Sequence, residues 1–502
     1  MDIFNNILYG FQVVLEPVNL GFCFVGVFFG TLVGVLPGLG PAAAIVLLLP
    51  ATFKLSPIPA IIMLAGIYYG GMYGGSTTSI LVNIPGEAAS VVTCLDGYEM
   101  ARKGRAGAAL GISAIGSFFA GTISIIILSI AAPALATIAL KFGPPEFFSL
   151  ILMGLIILTY MARGSLIKAL IMALLGLFLS QIGMDTVSGR YRFTLGMLRL
   201  SDGIDIVPMV MGLFGIAEIL SNLEKDAKRE VIKTKFKELF PNLDEWRRSV
   251  GAIVRGTFVG FILGVIPGGG AIISSFISYG VEKRVSKHPE KFGTGMIEGV
   301  AGPESANNAA TGGCFVPLLS LGIPANVMMA LFYAALLIHG IQPSPFLISQ
   351  RPDLFWGVIC SMYIGNIMLL ILNLPLIPLW VQILKVPYKT LFPLIFLFCV
   401  IGSYTINNSV FEVFVMIFFG ILGYLFKKLG YEPAPLVMAF VMGTMMEKAF
   451  RRSLSMSDGS FLIFLNRPIS AVCIGFALLL LVTSFIFYYK YYGKKRESLI
   501  DG

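Results

Sequence analysis

Long stretches of the chain hold no Asp, Glu, Lys or Arg: residues 17–53, 55–86, 106–140, 256–281, 305–350, 354–384, 390–411 and 468–489. They are apolar all round rather than along one stripe, which leaves no helix face for water. About 20 such residues cross a bilayer, and several of the runs are long enough to cross and turn back. Punctuation by charge, Pro and Gly predicts spans near 18–36, 58–75, 107–131, 146–161, 165–182 and 205–221, then 250–266, 309–340, 354–380, 391–405, 411–426, 434–447 and 468–489. The fold class expected is an all-α polytopic membrane protein with roughly 10–13 transmembrane helices, some of them broken or re-entrant. A membrane β-barrel would need alternating apolar and polar residues in short segments, which these runs lack.

Composition agrees. Of 502 residues, 13% are charged and 57% hydrophobic, against about 25% charged in a soluble domain. The net charge of +9 sits in short clusters (Arg102, Lys103, Arg105; Lys225 to Lys237; Arg247, Arg248; Lys283, Arg284; Lys427, Lys428; Lys494 to Arg496). That is the distribution that holds loops in the cytoplasm, so it argues against nucleic-acid binding. Lys490, Lys494, Lys495 and Arg496 place the C-terminus in the cytoplasm. Nothing basic precedes the first apolar run, so no signal peptide is expected. The six cysteines show no paired spacing and read as small apolar fillers. His288 and His339 lie near no Cys or carboxylate at metal spacing, and no Walker sequence occurs. No enzyme, cofactor or resident metal is expected.

The chain also resembles itself. Residues 30–40 read GTLVGVLPGLG and residues 260–270 read GFILGVIPGGG, with six of eleven positions identical at an offset of 230. Gly74-Gly75 then leads to Asn83-Ile84-Pro85-Gly86, and Gly312-Gly313 to Gly322-Ile323-Pro324-Ala325. Two repeated halves are expected, 1–220 and 250–502, joined by the charged segment 221–249 with one amphipathic helix. Copy two lies between Arg247-Arg248 and Lys283-Arg284, so it starts and ends in the cytoplasm. Copy one follows only Asp2 and Glu16, which fits an outside start and hence inverted repeats.

A helix that stops at Pro37-Gly38-Leu39-Gly40 and resumes leaves unpaired N–H groups inside the membrane. The restarting helix turns its positive end toward the gap, an arrangement that binds anions. Pro267, Gly268, Gly269 and Gly270 repeat the device. One such run alone reads first as a kink, but duplication at a fixed offset favours a site for a molecule with two or more carboxylates. Ser76, Thr77, Thr78, Ser79 and Asn83 lie beside the first second-anchor; Ser305, Asn307, Asn308 and Thr311 look like their counterpart. Such groups hold a carboxylate or a sodium ion, and they also serve helix packing. Glu87 and Glu304, with Asn83 and Thr311, are the candidates for a coupling cation. A solvated loop position for Glu87, and for Glu304 a place at the start of a helix, compete with that role.

GVLPGLGPAAAIVLLLP, YGGSTTSILVNIPGEAASVVTCLDGYEMARKGRAGAALG, GVIPGGGA and GPESANNAATGG together resemble the large membrane subunit of the tripartite tricarboxylate transporters, the TctA family. The resemblance spans nearly the whole chain. It implies a carrier in a prokaryotic cytoplasmic membrane that takes up citrate or related carboxylates on a Na+ or H+ gradient. It also implies two partners, a small membrane subunit and an extracytoplasmic solute-binding protein, and no ATPase. Carried over by motif, Pro37, Gly38 and Gly40 match the first loop and Pro267, Gly268 and Gly270 the second. Ser76, Thr77, Asn83, Pro85, Gly86 and Glu87 match one polar stretch, and Pro303 to Asn308 the other. Ala325 departs from the Gly that members place after the second Ile-Pro. An organic-anion channel, or a carrier without a binding protein, is the alternative.

Overall fold

The computed structural model describes residues 3–36, 40–162, 165–185, 187–224, 239–384 and 388–483. In chain order the helices are α1 (Ile3–Val14), α2 (Pro17–Val35), α3 (Gly40–Leu48), α4 (Pro57–Val82), α5 (Val91–Met100), α6 (Ala106–Ala139), α7 (Pro144–Met161), α8 (Leu166–Leu179), α9 (Ile206–Val210) and α10 (Ala217–Leu223). The second part holds α11 (Leu243–Val265), α12 (Gly270–Val285), α13 (Glu298–Leu321), α14 (Val327–Ile338), α15 (Leu347–Gln350), α16 (Pro352–Asn373), α17 (Ile377–Ile383), α18 (Tyr388–Asn407), α19 (Val410–Lys428), α20 (Ala434–Met456) and α21 (Ile463–Asn466). Among the described residues, eight helical stretches are long and apolar enough to cross a membrane, and shorter apolar helices accompany them. The protein is an all-α polytopic membrane protein.

Two expected spans divide. The run 309–340 becomes α13 and α14, parted at Gly322, and 354–380 becomes α16 and α17. Both α1 and α5 escaped the hydropathy pattern, because Asn5, Asn6 and Gln12 dilute one, while Asp96 and Glu99 charge the other. The start of α11 lies seven residues before the expected span, where Asn242 and Glu245 form a capping box. The amphipathic helix expected before it falls largely on residues 225–238, outside the described ones.

The chain forms two compact units, one of residues 1–139 and 205–425, the other of 140–204 and 426–502. In the smaller unit, α20 packs on α7 and α8, with Gly176 of α8 against the backbone of Leu436. A two-stranded hairpin, Gly183–Met184 with Tyr191–Arg192, projects beside them. Asp185 pins it: the Ser188 hydroxyl, the Val187 N–H, and then Arg192 and Arg451 hold its carboxyl well below the usual carboxylate range.

The larger unit is built on close pairs of parallel helices. Gly26, Gly30 and Gly34 of α2 lie against the backbone of Met63, Ile67 and Gly71 of α4. Gly256, Gly260 and Gly264 of α11 meet Gly302, Ala306 and Ala310 of α13 in the same way. The glycine row shifts by 230 positions and the facing row by 239, so the two helix pairs share one pattern of backbone contact. Between each pair the chain doubles back. Arg255 of α11 bonds Glu282 near the end of α12 (2.8 Å), and Arg248 bonds Glu298 at the start of α13 (2.7 Å). Thus α11 and α12 form a helical hairpin with its tip at 266–269. In hydrocarbon such pairs cohere by backbone proximity rather than by the hydrophobic effect.

A side chain at these glycines has nowhere to go. A Cβ on Gly30 would lie 2.8 Å from Ile67 Cα, and one on Gly260 would lie 2.7 Å from Ala306 Cα. Gly30→Val and Gly260→Val should each destabilise the larger unit by roughly 1–3 kcal/mol, read as a lower melting temperature in detergent. An unchanged melting temperature in both would show that these helices are not in backbone contact.

Candidate functional site

Each half breaks its chain twice. The first break follows α2 or α11; the second follows α4 or α13. The second breaks begin alike, with a left-handed residue capping the helix: Asn83 (φ 57°) after α4 and Gly322 (φ 71°) after α13. A Schellman-like end suits both, since Asn and Gly tolerate that region best. In the second half the second break covers the first; in the first half it packs on the end of α2. The Gly268 N–H donates to the Ala325 carbonyl (2.9 Å), and Gly86 sits on the Gly34 carbonyl with no room for a Cβ. In the second half the amides left for a guest therefore belong to the opening turn of α12, behind Gly269. Gly270, at φ 50°, faces Asn326. Gly40 opens α3 at φ 59°, whereas Pro37, Gly38 and Leu39 lie outside the described residues.

The polar groups gather where α4 and α13 cross. The Tyr68 ring lies tilted beside Phe315 (6.3 Å between centroids), while Ser76, two turns on, donates to Glu304. Higher numbers on one helix meet lower numbers on the other, so α4 and α13 run antiparallel. Glu304 is buried, and its two carboxylate oxygens accept from Ser76 of α4 and Thr93 of α5. Glu87 is buried too. Its Oε2 accepts from the Ala89 N–H (2.6 Å), and its Oε1 from Asn307 Nδ2 of α13 (3.3 Å). Each half thus supplies donors to a carboxylate of the other. The α13 helix begins at Glu298, not at Ser305, which puts Glu304 in its second turn. That corrects the expectation of a helix-start carboxylate, because a dipole acts only within the first turn.

Other candidates have local duties. Thr78 donates to the Val35 carbonyl at the end of α2 (2.6 Å), and Ser79 bonds Ser90 (2.9 Å) under Glu87. Thr77 is buried in α4, whereas Asn83 is exposed at its cap. Asn308 donates to Ser117 of α6 (2.7 Å), Thr311 donates to the Asn308 carbonyl (2.6 Å), and Ser305 is buried with its hydroxyl unpartnered. Pro267 leads into the second tip. The two polar stretches are not counterparts in register: 239 positions separate Tyr68 and Tyr69 from Asn307 and Asn308. They meet by crossing instead.

Sequence reasoning missed Thr93, Ser117, Asn326 and Asp96. Asp96 is fully buried and accepts from the N–H groups of Gly293 (3.0 Å), Gly295 (2.7 Å) and Met296 (2.7 Å) and from Tyr279 Oη (2.9 Å). Its signal in the sequence was an acid in the stretch GEAASVVTCLDGYEM, with no basic neighbour before Arg102. Substituting Ser76→Ala and Glu304→Gln, singly and together, should give a coupling of roughly 0.5–3 kcal/mol in unfolding free energy. Simple additivity would mean that the halves do not interlock through this bond.

Residues 20–438 match the tripartite tricarboxylate transporter TctA family. An uncharacterized 52.8 kDa protein of the TAR-I ttuC′ 3′ region in Agrobacterium vitis is 52% identical over 486 residues, covering 97% of each chain. A second Agrobacterium vitis protein, from the TAR-II ttuC′ 3′ region, is 52% identical over 227 residues, 45% of this chain and 94% of its own. No solved structure matches. With the helices of a multi-pass membrane protein and a family match over most of its length, the chain belongs to the tripartite tricarboxylate transporter TctA family.

Proposed function

We propose that this tricarboxylate-transporter permease component takes up small organic anions, tri- or dicarboxylates such as citrate, driven by a Na+ or H+ gradient. It works in a prokaryotic cytoplasmic (inner) membrane as the large subunit of a three-component system. A small membrane subunit and an extracytoplasmic solute-binding protein are its partners, and the transport involves no enzyme chemistry and no cofactor. The residues 1–220 and 250–502 are inverted repeats joined by 221–249, and the C-terminus is cytoplasmic.

One observation carries this reading: α4 and α13 cross antiparallel, with each half holding a carboxylate of the other. Parallel pairs within each half, set antiparallel to one another, are what inverted repeats require, and transporters of that plan bind substrate at the repeat interface. Two further facts support the orientation. Arg105 pairs with Glu245, and Lys103 donates to the Thr294 carbonyl (2.5 Å), so the basic clusters before α6, before α11 and after α12 share one end of the unit. Basic ends face the cytoplasm. The anion would rest on Gly40 and the opening turns of α3 and α12, beside Ser76, Thr77, Thr78, Asn83, Asn307 and Asn308, with Ser305 behind them.

The test is uptake of labelled carboxylic acids by the chain reconstituted with its partner subunits, with and without a sodium gradient. Saturable accumulation against the anion gradient is the expected result; passive equilibration would make the protein a channel. Gly268→Leu and Gly38→Leu should abolish uptake while leaving membrane insertion intact, since a bulky side chain in either loop would crowd the opening turn on which the anion rests. Wild-type uptake by both would remove the Pro-Gly loops from the site.

A further inference from the structure

The hairpin of the smaller unit is built inside out. Gly183 pairs with Arg192 and Met184 with Tyr191, so Asp185 and Arg192 share one face while Met184 and Tyr191 share the other. The charged face turns inward. Arg192 donates to Gln181 (2.8 Å) and to Glu447 of α20 (2.9 Å), and Arg451 of α20 donates to Asp185 (2.9 Å), which is buried. The apolar face turns outward. Met184 and Tyr191 are exposed, as are Phe193, Leu195 and Leu198 in the chain that follows, the two leucines at 84% each. A hairpin in water shows the reverse, with its charges outside and its large apolar side chains covered.

Backbone strain points the same way. Phe193 (φ 54°) and Leu195 (φ 51°) hold the left-handed region, which bulky residues rarely adopt. Such a conformation persists where its surroundings fix it, and the exposed Leu195 has little of its own chain around it. What covers these side chains therefore lies outside the chain, and continuity identifies it. Ile167, Ile171, Leu174 and Phe178 are exposed at helical spacing along α8, the stripe that an apolar helix of a multi-pass membrane protein gives to lipid. The Phe178 ring meets that of Phe193 (5.1 Å between centroids), so the stripe runs on into the outer face of the hairpin. A two-stranded hairpin cannot enter hydrocarbon, because its edges leave amides and carbonyls without partners. Headgroup depth meets both demands. Acyl chains begin there for the leucines, water remains for the strand edges, and rings such as that of Tyr191 are favoured. The exposed Arg190 and Arg199 can extend to lipid phosphates from that depth.

We propose that the hairpin and the residues after it, as far as Leu200, form a membrane-interface element whose partner is the bilayer itself. It lies in the headgroup layer at the end of α8, with its apolar face toward the acyl chains and its ion-paired face toward α20. The element fixes the depth at which the smaller unit sits.

Leu195→Trp and Leu198→Trp are made singly in the full-length protein, whose own Trp356 and Trp380 are buried. The emission gained over wild type is read in phosphatidylcholine nanodiscs, with and without bromine on the acyl chains, and then with iodide in the water. The added tryptophan should lose most of its emission to brominated lipid and little to iodide. The loss should be greater with bromine near the glycerol end of the chain than near the methyl end. Loss to iodide alone would put the element in water, and loss to neither quencher would mean that protein covers it. Greater loss with bromine at the methyl end would make it part of a buried span. Any of these three results overturns the proposal. If Leu195→Trp does not fold, Leu198→Trp decides, since its backbone lies outside the left-handed region.

Discussion

A polypeptide that interrupts its helices inside a bilayer must find protein partners for every amide and carbonyl it frees, since lipid supplies none. The larger unit meets this in its second half by covering one interruption with the other: the Ala325 carbonyl takes the Gly268 N–H. In the first half the Gly34 carbonyl near the end of α2 lies under Gly86. Both contacts depend on the glycine rows of α2 and α11, because only helices in backbone contact bring these parts of one half together. The same close approach sets Ser76 and Glu304 at the right height for the halves to bond across the crossing.

Near-symmetry within that frame gives the differences their meaning. Where backbone contact dictates the residue, the halves agree: Gly26, Gly30 and Gly34 against Gly256, Gly260 and Gly264. Where side chains face the crossing they diverge, with tyrosines at 68 and 69 in one half and asparagines at 307 and 308 in the other. The frame is kept by sterics, while polarity is free to differ. A carboxylate thus appears at 87 with an amide at 326, though both cap a chain reversal.

Much of this was legible in the sequence, and the physical reasons for the rest are specific. Uncharged length announced the membrane helices, and the second Pro-Gly run announced the turn between α11 and α12, because hydrophobic runs and glycines report directly on lipid and on backbone contact. Glu87, Glu304, Ser76 and Asn307 stood out as polar residues in apolar surroundings. Their pairing did not, since a crossing of antiparallel helices joins residues some 228 apart that no local pattern links. The expectation that Ser305 to Thr311 duplicates Ser76 to Asn83 failed for the same reason: nearness in a motif was taken for equivalence in register. Helix α5 was invisible to hydropathy because its buried acid, Asp96, finds its donors only in a loop some 200 residues away.

That clasp constrains how the larger unit can change shape. Asp96 belongs to the first half, yet it holds three amides of the loop that leads out of α12, together with the Tyr279 hydroxyl on α12 itself. The second hairpin is thereby tethered at its charged end to α5. Any displacement that leaves α5 behind must strip a buried carboxylate of all its donors at once, a cost of several hydrogen bonds to a charge. With its tip held by the Ala325 carbonyl and its base by Asp96, the hairpin travels with α5 as one body.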